Sequence, residues 1–297
     1  MNHPAVRVWN SDIQEISARK VMRQLGLKRG DLDLLAGCPP CQGFSILRTR
    51  NGTLPNRDQR NGLVREVVRF ARVFRPKAVM MENVPGLKDR APFRRLCADL
   101  RKLGYIISYD VKDAVDYGVP QRRKRLIVLG GRGFSIPFAP SEGQVCTVKQ
   151  AIGGLSNPGR ARDALHNMPQ RRSARIVKLI KSIPKNGGSR GNLPRKSQLK
   201  CHQNFDGFSD VYGRMSWSAP SPTITSGCFN PSKGRFLHPQ ENRAITLREA
   251  AILQSFPVNY RFPIDAGKEP IALMIGNALP PKFIQSQALQ ILQTLKG

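Results

Sequence analysis

Four short stretches carry side chains whose types and spacing could do chemistry. The first, Gly37-Cys-Pro-Pro-Cys-Gln-Gly-Phe-Ser45, sets two thiols on a loop stiffened by Pro39 and Pro40. A cysteine held there can act as a nucleophile. Cys38-x-x-Cys41 also suits half a zinc site, a redox dithiol or two inert buried thiols. Cys201-His202 is the only other Cys/His neighbour pair, and two prolines between the cysteines sit poorly with the helix of a redox motif. The second stretch, Glu82-Asn-Val-Pro-Gly86, offers a carboxyl group. Partly shielded from water, such a group can hold a proton near neutral pH and donate it to a ring nitrogen; by itself it reads equally as a surface Glu opening a turn. In the third, Gln121-Arg-Arg-Lys-Arg125, alternate residues of an extended segment put Gln121, Arg123 and Arg125 on one face. Guanidinium forks there can hold a phosphate or a base, although an ordinary basic strand start has the same composition. In the fourth, Ile275-Gly-Asn-Ala-Leu-Pro-Pro281, Gly276 permits an unusual backbone and Asn277 can bond both backbone and ligand. The plain alternative is a helix-start turn.

The elements between these stretches decide whether they meet. Asp31 to Gly37 is a short, mostly apolar run that predicts a buried parallel strand. Gly62 to Phe74 has helical spacing, with Leu63, Val67, Phe70, Ala71 and Phe74 on one face. Ala78–Met81 predicts a strand, Phe93 to Leu103 a helix ended by Gly104, and Ile106–Val111 and Arg125–Gly130 two more strands. This alternation predicts a parallel sheet with right-handed crossovers. The carboxyl ends of its first two strands then open on one edge, where ligands bind, so that Cys41 and Glu82 face one crevice.

Beyond residue 134 the pattern changes. Apolar periodicity fades until about residue 240, and Arg160 to Lys200 holds twelve Lys or Arg against one acid, Asp163. A solvated basic face is the plain reading of a charge run; twelve to one favours a phosphate-contacting surface. Helices are expected again from Leu247 to Ser255 and from Pro281 to Leu295. The architecture expected is one α/β domain interrupted by a basic insert.

Composition narrows the classes. Lys and Arg number 49 against 20 Asp and Glu, a formal charge of +29, which points to a polyanionic partner. No stretch nears the roughly 18 apolar residues of a membrane span, and the first ten residues carry no apolar signal core. Six scattered cysteines are too sparse for a disulfide scaffold, so a reducing, cytoplasmic setting is expected.

Taken together and in order, these stretches resemble the DNA (cytosine-5) methyltransferase family. Pro40-Cys41-Gln42, Glu82-Asn83-Val84, Gln121-x-Arg123-x-Arg125, Arg248 to Pro257 and Gly276-Asn277-Ala278 match its ordered blocks, and Tyr212–Trp217 with Pro222–Thr225 match the end of a bacterial member's recognition domain. The resemblance implies a Rossmann-like S-adenosylmethionine-dependent α/β core over 1–134 and 243–297, and a target-recognition domain over 135–242. It implies that Cys41 adds to C6 of a cytosine flipped out of double-stranded DNA. Glu82 then engages N3 and the exocyclic amine, Arg123 contacts the base carbonyl and Arg125 orders the Cys41 loop. Asp12, Ile13, Pro40, Leu63, Asn277 and Ala278 match positions that line the cofactor pocket. The family's Phe-x-Gly-x-Gly block and the ribose-binding Glu after it have no counterpart in the sequence, and Cys38 stands where many members carry Gly. The resemblance thus leaves open a chain that supplies a missing first strand, a cognate restriction endonuclease as partner, or an inactive DNA-binding remnant.

Overall fold

The computed structural model describes residues 2–40, 62–199, 201 and 210–297. They pack as two units. One comprises Ala5–Asp113, Lys124–Pro140 and Gln285–Gly297; the other Met1–Pro4, Ala114–Arg123 and Ser141–Ile284.

The first unit is built on a four-stranded sheet of β1 (Leu34–Gly37), β2 (Ala78–Asn83), β3 (Tyr105–Asp113) and β4 (Lys124–Arg132), in the order β1-β2-β4-β3. Helix α1 (Ala18–Gln24) precedes it, and α2 (Val64–Phe74) and α3 (Ala91–Lys102) follow β1 and β2. Of the predicted α2 stripe, Val67, Ala71 and Phe74 are buried and Leu63 and Phe70 half-buried, while Val64 and Val68, outside the predicted stripe, are buried too. Val67 and Val68 meet Leu96 and Leu100 of α3 and Val79 and Met81 of β2 in one core. Gly104 does end α3, at a φ of +82° that a side chain would oppose.

The α/β class is as expected, with one correction. The sheet is mixed: β1 and β2 are parallel, but β4 runs antiparallel to both β2 and β3. Residues 114–123, partly a tight 3₁₀ turn, are too short for the dozen or more residues of a parallel crossover. Apolar content located the strands but said nothing of direction. Because β1, β2 and β3 share one direction, the carboxyl ends of β1 and β2 do open on the same edge.

The second unit carries α4 (Val148–Ile152), α5 (Ala174–Ser182), α6 (Leu247–Leu253) and α7 (Lys268–Asn277); α8 (Pro281–Lys296) starts within it and its residues from Gln285 belong to the sheet unit. All of α6 is buried, and Leu247, Ala250 and Leu253 share a core with Val148, Ile152, Met215, Ile224 and Ile275. By packing, residues 243–284 therefore group with the basic insert, and the chain crosses between the units after residues 4, 113, 123, 140 and 284; the sequence reading sets its boundaries at 134 and 242. The reason is that the apolar face of α6 is complemented by residues of the insert. Thr246 and Glu249 cap α6 reciprocally: Glu249 N–H donates to Thr246 Oγ1 (3.1 Å) and Thr246 N–H to Glu249 Oε2 (2.7 Å). No helix among the described residues is long and apolar enough to cross a membrane.

Candidate active site and cofactor pocket

In the sheet unit the loop after β1 is tied to the end of β2. Asn83, buried, donates from Nδ2 to Pro39 O (3.1 Å), while its Oδ1 accepts from Val84 N–H (2.9 Å). Both arms of the amide are spent holding two loops together at the carboxyl edge.

Next to it, Glu82 meets Arg125. Glu82 lies opposite Ile127 of β4, and Arg125 is two residues before Ile127, so the two side chains are diagonal neighbours on one face. Arg125 Nε lies 2.7 Å from Glu82 Oε1, with the side chains 15% and 12% exposed. Arg125 Nη1 also donates to Lys124 O (2.8 Å). The Cys38 thiol is pushed up to about 12, by burial and then by the charge of Glu82 and a hydrogen bond to its carboxylate. Cys38 is exposed as a residue, so the carboxylate contact is the firmer of these causes. At neutral pH Cys38 is a neutral thiol donating to an acid, a poor nucleophile. Cys41 lies outside the described residues.

A cavity of about 350 Å³ opens at the carboxyl end of β1. Ile13, Pro40 and Leu63, three of the residues expected to contact the cofactor, line it together with Gly37, Cys38, Glu66, Val67 and Phe70. Gly37 has to be small there, since a Cβ would lie 2.9 Å from Val67 Cγ2. Asp12 stands beside Ile13 and uses Oδ1 to accept from Gln14 N–H (2.8 Å). Glu66 could have been found from the stripe that named Leu63 and Phe70, because i, i+3 and i+7 share a helix face. The cavity is largely apolar with one buried carboxylate, a chemistry that fits the flat adenine and the hydroxyls of an adenosyl group.

Arg123, Asn277 and Ala278 belong to the other unit. The chain passes from one unit to the other between Arg123 and Lys124, so Gln121 and Arg123 group with the second unit and Arg125 with the first. Arg123 is buried, and its fork donates to Ile224 O and Gly276 O, each at 2.9 Å. Gln121 accepts from Ile224 N–H (2.8 Å) and donates to Gln254 Oε1; Gln254 Nε2 in turn donates to Ala278 O (2.6 Å). Two buried glutamines and an arginine thus fix the turn that carries exposed Asn277 and half-buried Ala278. Gly276 is needed there for a reason other than an unusual backbone: a Cβ would lie 2.3 Å from Ser226 N. Among the described residues no cluster of acids, cysteines and histidines could hold a metal ion.

The sequence profile of the C-5 cytosine-specific DNA methylase family matches residues 1–293. The chain belongs to that family. It is 34% identical over 280 residues to the Type II methylase M.HgiDII of Herpetosiphon aurantiacus, covering 89% of this chain and 77% of the relative. It is 32% identical over 304 residues to the Type II methyltransferase M1.HphI of Haemophilus parahaemolyticus, covering 98% and 76%. Among solved structures, the Dnmt2 methyltransferase of S. pombe aligns with a TM-score of 0.62 at 16% identity, over 97% of this chain and 84% of that one; at that identity the likeness is one of fold. Membership makes the chain a methyltransferase of the cytosine-C5 class acting on DNA. Of the residues expected at the site, Glu82 and Arg125 are the pair that the described residues bring into contact.

Proposed function

We propose that this DNA methylase transfers a methyl group from S-adenosylmethionine to C5 of a cytosine turned out of a specific duplex sequence, through a covalent bond from Cys41 to C6. The Glu82–Arg125 pair at the carboxyl edge of the sheet, beside the β1 cavity, carries this reading. Cytosine C5 is a weak nucleophile. Attack of the Cys41 thiolate on C6 forms the S–C6 bond and shifts the ring's electron pair toward C5 and N3. Glu82 holds N3 and the exocyclic amine and offsets the charge that develops at N3. S-adenosylmethionine supplies an electrophilic methyl group. Loss of the C5 proton and cleavage of the S–C6 bond then restore the ring. Arg125, which lies against Glu82, is the arginine we place at the base carbonyl. Arg123, with its fork on two main-chain carbonyls, we assign to holding the Ile224 and Gly276 loops.

In this reading Ile13, Pro40 and Leu63 enclose the adenine and Asp12 meets its amine, while Asn277 and Ala278 contribute from their turn. The basic residues of 135–242 grip phosphates and read base edges. The Type II names of the relatives favour a restriction–modification setting, with a cognate endonuclease as partner and chromosomal DNA as the place of work. β1 is the outer strand of the described sheet, with Ala36 exposed, which gives room for a further strand supplied by another chain.

The test is covalent trapping on duplex DNA containing 5-fluorocytosine, with S-adenosylmethionine present. Wild-type protein should form a denaturant-stable adduct, and Cys41→Ala should form none while still binding DNA. Trapping that survives Cys41→Ala overturns the assignment.

A further inference from the structure

The segment 11–17, which precedes α1, has no regular structure, yet one of its residues, Ile13, is a wall of the cavity. Its internal support is slight: Glu15 N–H donates to Asp12 O (3.0 Å) and Gln14 N–H to Asp12 Oδ1 (2.8 Å). Ile16 packs in an apolar cluster with Phe70 and Phe74 of α2, and the hydrogen bonds described here that run from α2 to the segment come from one side chain. Arg69 Nη2 donates to Ile13 O (2.5 Å) and Arg69 Nη1 to Ile16 O (2.8 Å), so one planar fork spans both ends of the turn. The remaining donor, Nε, lies 2.6 Å from Glu66 Oε2, and Glu66 is itself buried and lines the same cavity. The guanidinium carbon also sits 4.7 Å from the ring centroid of Phe70, a third cavity residue.

We infer that Glu66 and Arg69 are positioning residues: they lock the Asp12–Ile13 turn against α2 and so set the affinity for the adenosyl part of the cofactor. This rests on the cofactor reading of the cavity given above. The residue types follow from the task. Two carbonyls and a carboxylate lie around one point, and only a fork with three separately directed donors satisfies all of them. A lysine keeps the charge beside Glu66 but cannot hold both carbonyls in a fixed plane. Bonds from a charged donor are the stronger class, so losing the fork leaves the Ile13 end of the turn held to α2 by apolar contact alone.

The experiment is calorimetric titration of the intact chain with S-adenosylhomocysteine, for wild type, Arg69→Met, Arg69→Lys and Asp12→Asn, with duplex-DNA affinity and thermal midpoint measured alongside. Arg69→Met should weaken S-adenosylhomocysteine about tenfold or more, and Arg69→Lys should recover only part of the loss. DNA affinity without cofactor should stay within about twofold. With S-adenosylmethionine as substrate, the change should appear in its KM, with kcat at saturation nearly kept. Adding Asp12→Asn to Arg69→Met should cost less than it does in wild type, because both act through one turn. Unchanged ligand affinity in folded Arg69→Met or Arg69→Lys overturns the proposal. So does an equal fall in ligand and DNA affinity, which marks a general loss of fold. If wild type and variants alike fail to bind S-adenosylhomocysteine, the cofactor reading itself falls, and the proposal with it.

Discussion

Each unit of the molecule contains an arginine–glutamate arrangement shielded from water, and the two are built differently. In the second unit Arg243 is saturated: Nε and Nη2 reach both oxygens of Glu241 (2.8 and 2.9 Å), and Nη1 and Nη2 reach both oxygens of Glu249 (2.7 Å each). Glu249 is 2% exposed and also caps α6. Nearby Arg214, wholly buried, is held by the carbonyls of Ile180, Ile183, His238 and Glu241 and by Asn242 Oδ1. In the sheet unit, Arg125 meets Glu82 end-on through Nε, with the side chains 15% and 12% exposed; Arg243 and Glu241 are 16% and 32% exposed, so the two arrangements differ in bonding and not in dryness. A doubly forked arrangement fixes the backbone around it and leaves no donor of its arginine for a substrate to take. An end-on pair at a strand edge can exchange part of its bonding for a base at small cost.

That contrast can be broken or sharpened by measurement. The largest effect should come from Glu82→Gln, which lowers single-turnover methylation about 10²- to 10⁴-fold, the usual range for losing an acid–base group. Urea melts of the same variant should move by less than about 1 kcal/mol. A variant that melts early and methylates normally would make Glu82 a scaffold residue. Next, Arg243→Met should destabilise the fold by about 3–5 kcal/mol, because it strands the buried Glu249 carboxylate without its counter-charge, half-buried Glu241 adding less. Two-state urea unfolding checks this, and a loss below about 1 kcal/mol contradicts the scaffold reading.

His238 gives a third, pH-dependent effect. Burial lowers its pKa to about 4, although the nearby Glu249 carboxylate pulls the other way. Its Nδ1 accepts from the backbone N–H groups of Gln240 and Glu241, which suits the neutral ring. A base with a depressed folded-state pKa binds more protons when unfolded. Its contribution is therefore complete above about 6.5 and is lost as the pH falls toward 4, at up to about 1.4 kcal/mol per pH unit. His238→Gln should flatten the slope of unfolding free energy between pH 6.5 and 4; an unaltered slope assigns that acid sensitivity elsewhere. The smallest effect is expected from Cys38→Ala. It removes a thiol donor from Glu82 without touching Arg125, and should change kcat by about twofold, the scale of one neutral hydrogen bond near water. A change beyond about tenfold would promote Cys38 from neighbour to participant.

The sheet unit was largely legible in the sequence because its helices carry one-sided stripes and its strands are short apolar runs. Leu63, Val67 and Phe70 were placed by spacing alone, and the meeting of the β1 and β2 ends followed from the handedness of crossovers. Strand direction was not legible, since residues alternate identically in parallel and antiparallel ladders. Nor were the partners of Arg123: alternation assigns a side to a residue but cannot show that the carbonyls of Ile224 and Gly276, far along the chain, come within its reach. The grouping of 243–284 with the insert was hidden for a similar reason. A stripe on α6 shows that a face must be covered and is silent about what covers it. The reciprocal of this also holds: Arg69 is an unremarked basic residue in the sequence, and only the position of two carbonyls more than fifty residues upstream gives it a task.

The reversal of β4 has a consequence for the chemistry. Glu82 lies near the tail of β2 and Arg125 near the head of β4. Two strands running alike would send a tail and a head to opposite rims of the sheet, separated by most of the six residues of β2, or about 15–20 Å. Running counter to each other, they deliver an anion and a cation to one rim without any loop having to fold back. A single flipped strand thus does, by topology alone, what an all-parallel design could reach only by adding a further segment to ferry the cation across.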